Sequence, residues 1–358
     1  METGTKGSYQ VISKEAFLDL MGGLMAQKAV MGPRERPDQP GFHYFDWVKD
    51  PEDLTMAYTA TTLPPKKAFS PPTETILTFT LEDPPMLSDC WENDSFVLVG
   101  VHPCDLSAIE ALDRAYAYPP PDRRWQHNRN RATIIGVDCL PDSYCFCESW
   151  GVSQARKPAD LFLTPINRGY FVEIRSPAGK EILGQGNTLQ AEPDDFRDVL
   201  NWHRQKNSGF QTHLDATAQE LADILEMGIF SEIWENIASR CYSCGSCNTT
   251  CPTCFCFNME DDFDWTLKSG TRQRTWDSCQ LLDFALVAGD HNFRGERWER
   301  VRHRWHRKFL YLYRRFGRPY CTGCGRCSRA CTADINIVDE TNRIISAFRK
   351  GTGNDRTA

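Results

Sequence analysis

The residues best able to do chemistry in this sequence are its cysteines. There are 16 in 358 residues, and 11 of them lie between Cys241 and Cys331. Disulfide frameworks are typical of short secreted chains, whereas this chain is long and does not start with the basic and apolar pattern of a secretory signal. We therefore predict a cytoplasmic protein. In a reducing compartment, so high a density of thiols indicates metal binding.

Two cysteine runs share the spacing C-x2-C-x2-C-x3-C. They are Cys241, Cys244, Cys247 and Cys251, and then Cys321, Cys324, Cys327 and Cys331. Three cysteines at two-residue gaps let one loop reach three corners of a [4Fe–4S] cubane, and in two-cluster ferredoxins the fourth cysteine of each run binds the other cluster. The first predicted cluster therefore takes Cys241, Cys244, Cys247 and Cys331. The second takes Cys321, Cys324, Cys327 and Cys251.

Two alternatives exist for these runs. A zinc ribbon also uses C-x2-C pairs, but zinc takes four ligands, usually as two separated pairs, and two complete ferredoxin-type runs are more specific. The triplet Cys247, Cys251 and Cys254 has the spacing of radical S-adenosylmethionine enzymes. It overlaps the ferredoxin register and no surrounding barrel is predicted. The runs therefore favour two [4Fe–4S] clusters.

A further group of cysteines lies in the N-terminal half. It comprises Cys104, Cys139, Cys145 and Cys147. Cys104 and Cys139 each follow an apolar run, and open α/β sheets bind their ligands at the edge where neighbouring parallel strands end. Cys145 and Cys147 follow closely enough to return to that edge. The four thiols predict a third iron–sulfur cluster, and the alternative is a group of partly buried thiols that only pack.

Four cysteines remain outside these sets. Cys254, Cys256 and Cys279 could ligate another centre, with a histidine such as His306 as the fourth ligand, or they could pack around the ferredoxin-type clusters. The sequence leaves both interpretations open. Cys90 stands alone and has no predicted role.

The elements that must position these cysteines follow from hydrophobic periodicity. The apolar runs 96–101 and 132–137 predict buried strands, and apolar residues at helical spacing between Leu106 and Tyr116 predict a helix between them. Strand, helix and strand in this order form a βαβ unit, which implies parallel strands. Residues 216–240 predict one amphipathic helix that ends just before Cys241. Its apolar stripe is Leu221, Ile224, Leu225, Phe230, Ile233, Trp234 and Ile237.

These elements predict an α+β protein of two domains. Residues 1–205 form an N-terminal α/β domain with a small, mostly parallel sheet and the third cluster. Residues 206–358 form a mainly helical, ferredoxin-like domain with the two [4Fe–4S] clusters. The chain is long enough for a sizeable core in each domain. No apolar stretch approaches the 18 residues of a membrane span.

Composition and charge exclude several classes of protein. Apolar residues make up 41% and charged residues 25%, which excludes wholesale disorder, and the net charge of −7 argues against a globally basic nucleic-acid binder. Residues 294–318 nevertheless hold nine arginines, one lysine and six aromatic residues. Their place between the two cysteine runs favours support of anionic clusters, or a docking surface, over nucleic-acid binding. A metal-stabilised nucleic-acid-binding protein is the weaker alternative.

The sequence contains no motif for substrate chemistry. It lacks the G-x-G-x-x-G phosphate turn, the Walker loop, the G-x-S-x-G elbow and any clear carboxylate pair. We therefore nominate no catalytic residue and predict a chain that transfers electrons. An enzyme that acts through an open cluster position on Cys254, Cys256 and Cys279 is the second alternative.

Several uncommon strings resemble one known family over roughly residues 55–340. They are LPPKKAFSPPTE (63–74), HPCDLSAIEALD (102–113), the cysteines at 139, 145 and 147, CPTCFC (251–256), WDSC (276–279) and CTGCGRC (321–327). The chain resembles the beta (iron–sulfur electron-transfer) subunit of cytoplasmic [NiFe] sulfhydrogenases and the related iron–sulfur subunit of anaerobic sulfite reductase. The context of Cys104 is closer to the hydrogenase branch. Thr332 stands where proline often follows the last cysteine, a departure that changes no ligand.

The resemblance implies an electron-relay subunit with several [4Fe–4S] clusters. The implied partners are a flavin-containing NAD(P)H oxidoreductase subunit and a catalytic subunit, either a hydrogenase small subunit or a sulfite reductase. Similar subunits also occur beside heterodisulfide-reductase-like proteins, so the terminal partner stays open. We expect neither a nucleic-acid partner nor a membrane span.

Overall fold

The computed structural model describes residues 9–228 and 232–351. The helices in these residues are α1 (Lys14–Met25), α2 (Pro103–Ala117), α3 (Arg123–Asn130), α4 (Pro177–Leu183), α5 (Pro193–Ser208), α6 (Ala218–Met227), α7 (Ile233–Arg240), α8 (Ser246–Thr249), α9 (Arg297–His306), α10 (Leu312–Phe316), α11 (Arg326–Arg329) and α12 (Ile337–Arg349). A π-helical turn, Arg307–Tyr311, joins α9 to α10.

The strands of the described residues belong to three sheets. They are β1 (Tyr9–Ile12), β2 (Ala29–Arg36), β3 (Gln39–Val48), β4 (Thr73–Thr80), β5 (Met86–Asp89), β6 (Phe96–Val101), β7 (Ala132–Val137), β8 (Leu161–Ile166), β9 (Gly169–Ile174), β10 (Leu189–Gln190), β11 (Phe257–Phe263), β12 (Ser269–Trp276), β13 (Leu286–Val287) and β14 (His291–Asn292). Short 3-10 turns occur at Pro51–Asp53, Pro65–Ala68, Cys147–Trp150 and Asp283–Ala285.

The chain divides into two compact units that are discontinuous in sequence. The first unit comprises the described residues up to Pro65, together with Asp94–His213 and Thr322–Cys324. The second comprises Lys66–Asn93, Leu214–Cys321 and the described residues from Gly325 onward. The predicted division at residue 205 treats each domain as one continuous segment. Hydrophobic periodicity cannot show that a segment such as 66–93 joins residues far along the chain.

The first unit is built on an eight-stranded sheet with the order β10-β1-β9-β8-β7-β6-β2-β3. The predicted βαβ unit is confirmed, since β6 and β7 are parallel neighbours with α2 between them in the chain. Side chains that alternate along β6 face opposite sides of the sheet. Val97 and Val99 share a buried cluster with Phe17 and Met21 of α1.

The predicted small, mostly parallel sheet needs a correction. Among the strands of the described residues, the pairings β2–β6, β6–β7 and β7–β8 are parallel, and the other four pairings of this sheet are antiparallel. The hairpins β2–β3 and β8–β9 account for much of this difference, because a short connection can join only antiparallel strands. The sheet is therefore larger and more mixed than the two apolar runs indicate.

The second unit combines a group of helices with a four-stranded antiparallel sheet. The helices pack through buried aromatic side chains: Trp234 of α7 lies 6.3 Å from Trp305 of α9 between ring centroids, and Trp305 Nε1 donates to Thr341 Oγ1 of α12 at 3.0 Å. The sheet has the order β11-β12-β4-β5. The prediction of a mainly helical second domain missed this sheet, because β12 pairs with β4 from a segment 200 residues earlier in sequence.

The helix predicted over residues 216–240 is two helices, α6 and α7. The first ends at Gly228, whose carbonyl accepts a hydrogen bond of 3.0 Å from Trp234 Nε1. The apolar stripe packs as predicted at Leu221, Leu225 and Ile237, which are all buried. Phe230 lies outside the described residues. Over the ranges given above, no helix is long and apolar enough to cross a bilayer.

Candidate iron–sulfur centres

The two cysteine runs fold into matching loops. Gly245 and Gly325 occupy the same position in each run, adopt φ values of 80° and 69°, and immediately precede the short helices α8 and α11. This left-handed conformation is readily available only to glycine. The two short helices pack against each other. The repeated spacing in the sequence thus produces a repeated local structure.

Cysteines of both runs line one cavity of about 40 Å³ in the second unit. Cys241, Cys247 and Cys331 belong to the first predicted cluster, and Cys327 belongs to the second. Cys244, the remaining predicted ligand of the first cluster, is exposed and does not line the cavity. Its thiol hydrogen-bonds to Ser246 Oγ at 3.4 Å, which lowers the pKa of Cys244. The structure therefore brings together three of the four predicted ligands of the first cluster.

Arg304 places a buried positive charge at the wall of this cavity. Its side chain is 4% exposed, its guanidinium donates to the Cys247 carbonyl at 3.5 Å, and its Nε has no hydrogen-bond partner in the described residues. Burial alone would lower the pKa of Arg304, but the charges of Cys247, Cys327 and other thiolates raise it well above its usual range. Burial raises the pKa of Cys247 to about 12, and Arg304 opposes that shift. A buried cation with an unsatisfied donor beside thiolates fits an anionic cluster.

Cys251, the exchanged ligand of the second predicted cluster, is buried beside Thr253. The Cys251 Sγ to Thr253 Oγ1 distance is 3.4 Å, and Lys308 Nζ donates to the same hydroxyl at 2.8 Å. Thr253 in turn donates to the carbonyl of Tyr320, the residue before Cys321. Hydrogen bonding with Cys254 lowers the pKa of Cys251 well below its usual range.

The structure brings together only some of the predicted ligands of the second cluster. Cys327 lines the cavity described above, and Cys324 lies in the Thr322–Cys324 segment of the first unit, where its charge raises the pKa of Cys147. The ligand set Cys321, Cys324, Cys327 and Cys251 therefore stays a prediction.

The N-terminal cysteines follow the strands that were expected to position them. Cys139 comes two residues after β7, and Cys104 lies in the first turn of α2, which follows β6. Burial raises the pKa of Cys139, Cys145 and Cys147, and the charges of Cys147 and Asp105 contribute to the rise at Cys139. Cys139, Cys145 and Cys147 thus interact electrostatically with one another. The fourth thiol, Cys104, is adjacent in sequence to Asp105, which also interacts with Cys139.

A buried ion pair beside this group is absent from the sequence prediction. Lys206 of α5 and Asp138 are 1% and 2% exposed, and Lys206 Nζ donates to the Asp138 carboxylate. Arg156 and His203 also lie 3.6 Å from the same carboxylate. The Lys206 charge lowers the pKa of Cys139 and Cys147 against the larger effect of burial. No sequence pattern marks a single lysine in a polar helix as buried.

Gly323 lies inside the second cysteine run, where the sequence predicts that a glycine permits close backbone approach. Its carbonyl accepts a hydrogen bond of 2.9 Å from Phe146 N, and its φ is 69°. A Cβ built on Gly323 would lie 2.5 Å from Cys147 Cα. Only glycine therefore lets residues 322–324 lie against the Cys145–Cys147 loop. The signal for this contact was the glycine between Cys321 and Cys324, but its partner could not be read from the sequence.

The basic segment 294–318 directs cations toward the cysteine motifs. Arg300, Arg304 and Lys308 recur at intervals of four residues and are all buried. Arg300 Nε donates to the Gln280 carbonyl at 3.0 Å, and the other two side chains contact the Cys247 and Thr253 positions described above. This geometry supports the interpretation that the segment supports the clusters. The predicted absence of nucleic-acid binding stays a prediction.

The cysteines outside the predicted sets also lie in the second unit. Hydrogen bonding with Cys256 lowers the pKa of Cys279 to about 6, despite burial. His306 packs edge-on against Trp234, and its Nδ1 is hydrogen-bonded to Tyr311. Its role as the fourth ligand of a centre with these cysteines stays a prediction. Burial lowers the pKa of His306 to about 3.

The cysteines form no disulfide in the described residues. Nor do three cysteine, histidine or acidic side chains of residues 9–228 and 232–351 converge on a single metal-ion position. Such convergence is what a tetrahedral zinc site requires. In a cubane, by contrast, each thiolate binds a different iron.

Comparisons with known proteins connect these features to hydrogenase subunits. Residues 240–335 match the family model of the 4Fe-4S dicluster domain. The chain is 32% identical over 345 residues to sulfhydrogenase 2 subunit beta of Pyrococcus furiosus, covering 96% of this chain and 99% of that protein. A chain of the xenon-derivatised F420-reducing [NiFe] hydrogenase complex from Methanosarcina barkeri matches 56% of this chain and 89% of its own length, with 14% identity and a TM-score of 0.33.

Proposed function

The chain belongs to the sulfhydrogenase beta-subunit family, and we propose that it is the iron–sulfur electron-transfer subunit of a hydrogenase-type complex. One observation carries the proposal. Four cysteines drawn from both runs line one cavity, with the Arg304 guanidinium at its wall. Thiolates are the ligands that iron–sulfur clusters take in proteins, and a buried cation offsets the cluster's negative charge.

We propose three clusters on the residues that the sequence nominates. Cys241, Cys244, Cys247 and Cys331 hold the first, and Cys321, Cys324, Cys327 and Cys251 hold the second. Cys104, Cys139, Cys145 and Cys147 hold the third. The cavity supports the first assignment, the Thr253–Tyr320 hydrogen bond supports the second, and the mutual interaction of three thiols supports the third.

The residues around these thiolates set the conditions for electron transfer. A bound [4Fe–4S] cluster takes up and releases single electrons, at a potential set by charge, hydrogen bonds and solvent exposure. Arg304, Lys308 and Lys206 hold positive charge in buried positions beside the thiolates. Because reduction adds negative charge, these cations favour the reduced state. Trp305 and Ile337 contribute apolar surface to the same cavity.

The proposed partners are subunits of the same complex. We propose that a flavin-containing NAD(P)H oxidoreductase subunit exchanges electrons with this chain on one side. A hydrogenase small subunit does so on the other side. The support is the family membership and the lack of a motif for substrate chemistry in this sequence.

Anaerobic purification followed by redox titration tests the proposal. The expected protein contains iron and acid-labile sulfide in equal amounts, shows visible absorption that bleaches on reduction, and recovers it on oxidation. Reduction by NAD(P)H should require the flavin-containing subunit. Protein that contains zinc with little iron or sulfide, or that shows no reversible redox signal, would overturn the proposal. Coupling to a sulfite reductase instead of a hydrogenase subunit would overturn the choice of catalytic partner.

A further inference from the structure

Three cysteines that the three proposed clusters do not use are gathered in the second unit. Cys254, Cys256 and Cys279 come from two segments separated by β11 and β12. Cys279 is 3% exposed, and the other two thiols are partly buried. The sequence alone could not show that the CPTCFC and WDSC strings meet. The structure places their thiols together.

Two of the three thiols are in direct contact, and Asn248 connects the third to them. The direct thiol contact of Cys254 is with Cys251. Cys256 and Cys279 are hydrogen-bonded to each other. The Asn248 amide is 1% exposed, and it donates from Nδ2 to Cys279 Sγ at 2.9 Å and accepts at Oδ1 from Cys254 Sγ at 3.7 Å. Amide donors to thiolate sulfur are the contacts that orient and tune the ligands of a metal centre. One buried amide therefore connects both segments of the group.

Buried cations surround this group. Lys66 is 5% exposed and donates from Nζ to the Cys254 carbonyl at 2.5 Å. Lys308 is 3% exposed and lies near Cys254 and Cys256. Lysine is rarely buried without a compensating negative charge. Neutral thiols supply no such charge, whereas thiolates bound to an iron–sulfur cluster do.

We propose that Cys254, Cys256 and Cys279 ligate a further iron–sulfur centre, beyond the three clusters of the proposed function. The centre is a cluster with three cysteine-bound irons, since the group supplies three thiols outside the other ligand sets. A zinc ion is disfavoured, because these three thiols do not converge on one metal-ion position. The alternative is a disulfide between Cys256 and Cys279. The measurements below distinguish this disulfide from the iron–sulfur centre.

A double substitution tests the centre against a matched control. The variant Cys256→Ser with Cys279→Ser removes two ligands and keeps the size of the side chains. Cys90→Ser is the control, since Cys90 belongs to the second unit but has no assigned ligand role. Iron, acid-labile sulfide and electron paramagnetic resonance spectra are measured on anaerobically purified protein. The double variant should lose about three or four irons per chain and one spectral component, while the control keeps both. Unchanged iron and spectra would overturn the centre.

Native mass spectrometry of the unsubstituted chain provides a second measurement that does not depend on folding of the variant. We expect the mass of four clusters, with Cys254, Cys256 and Cys279 reduced after the clusters are stripped anaerobically. A mass of three clusters, or a Cys256–Cys279 disulfide, would overturn the further centre and leave the proposed function intact. A chain with no iron and no sulfide would overturn the proposed function itself.

Discussion

Single residues determine the charge around the candidate centres. Lys66, Lys206, Arg304 and Lys308 are all buried and all lie close to cysteines. Taking a cation out of water is costly unless an anion compensates for it. Asp138 compensates Lys206, and the proposed thiolate-bound clusters would compensate Lys66, Arg304 and Lys308. The buried cations are therefore a residue-level argument for anionic cofactors that is independent of the cysteine spacing.

Lys206 should raise the reduction potential of the N-terminal centre. Replacing Lys206 with Met removes a buried charge beside Cys139 and Cys147, so we expect a more negative midpoint potential for one centre only. Lys206→Arg is the matched control, because it keeps the charge and should keep most of the potential. Potentiometric titration followed by electron paramagnetic resonance measures both variants. Equal shifts in the two variants would show that packing, and not charge, is responsible.

Cys324→Ser should remove one ferredoxin-type cluster. The variant should lose about four irons per chain, because each cubane depends on its full set of cysteine ligands. The signal of the N-terminal centre should persist, and the control Cys90→Ser should keep all of its iron. Iron analysis and partner-dependent turnover are measured together. A Cys324→Ser protein with full iron content and full turnover would show that the second ligand set is wrong.

At the scale of elements, two short segments of the first unit depend on close backbone packing. Residues 322–324 lie against the Cys145–Cys147 loop through the Phe146–Gly323 hydrogen bond. Cys324 and Cys147 are brought near each other by this contact. The loop that carries the N-terminal thiols is thus positioned by a glycine of the second cysteine run.

Gly323→Ala should be more damaging than an alanine at another glycine of similar conformation. Its Cβ would meet Cys147 N and Cα at 2.5 Å, whereas a Cβ at Gly151, whose φ is 66°, meets nothing within 4 Å. We expect a loss of roughly 2–4 kcal/mol for Gly323→Ala from overpacking and backbone strain, and about 1 kcal/mol for Gly151→Ala from the backbone alone. Urea unfolding of both variants checks this, and equal losses would contradict the close packing.

The Asp195 carboxylate at the start of α5 should make the free energy of unfolding depend on pH. Asp195 accepts hydrogen bonds from Glu192 N at 2.7 Å and from the Arg168 guanidinium, and the Arg168 hydrogen bond lowers the pKa of Asp195. A lowered pKa means that the carboxylate stabilises the folded state above about pH 4, and that this stabilisation is lost as pH falls through the folded-state pKa.

Asp195→Ala should therefore cost about 1 kcal/mol at neutral pH, as the loss of a helix cap does, and progressively less in acid. Glu181→Ala on the exposed surface of α4 is the control and should change little. Unfolding midpoints measured from neutral to acidic pH separate the two variants. A cost for Asp195→Ala that does not change with pH would contradict this account of the cap.

At the scale of the whole molecule, local sequence patterns predicted individual elements better than they predicted which distant strands pair. The strands at 96–101 and 132–137 and the helix between them followed from periodicity, and the matching loops of the two cysteine runs followed from their spacing. The sheet formed by β4, β5, β11 and β12 did not, since it pairs strands from segments that are far apart in the chain. The buried ion pair between Arg274 and Glu74 depends on a pairing that no local pattern encodes.

The candidate site shows the same division between local and distant information. The spacing of the cysteines predicts candidate ligands, because the chemistry of a cubane restricts which residues can serve. The burial of Lys66 and Lys206, the packing partner of Gly323 and the direct contact between Cys256 and Cys279 were not predicted. Each depends on the approach of segments that are far apart in sequence, and solvent exposure cannot be inferred from residue type alone.

The most direct test of the central claim is the metal content of the anaerobically purified chain together with its redox behaviour. We predict at least about eight irons and eight sulfides per chain, from the two ferredoxin-type clusters, and absorption that bleaches reversibly on reduction. About twelve irons and twelve sulfides per chain would indicate that the N-terminal cluster is also present. Zinc with little iron or sulfide, or iron that shows no reversible reduction, would contradict the assignment of this chain as an electron-transfer subunit.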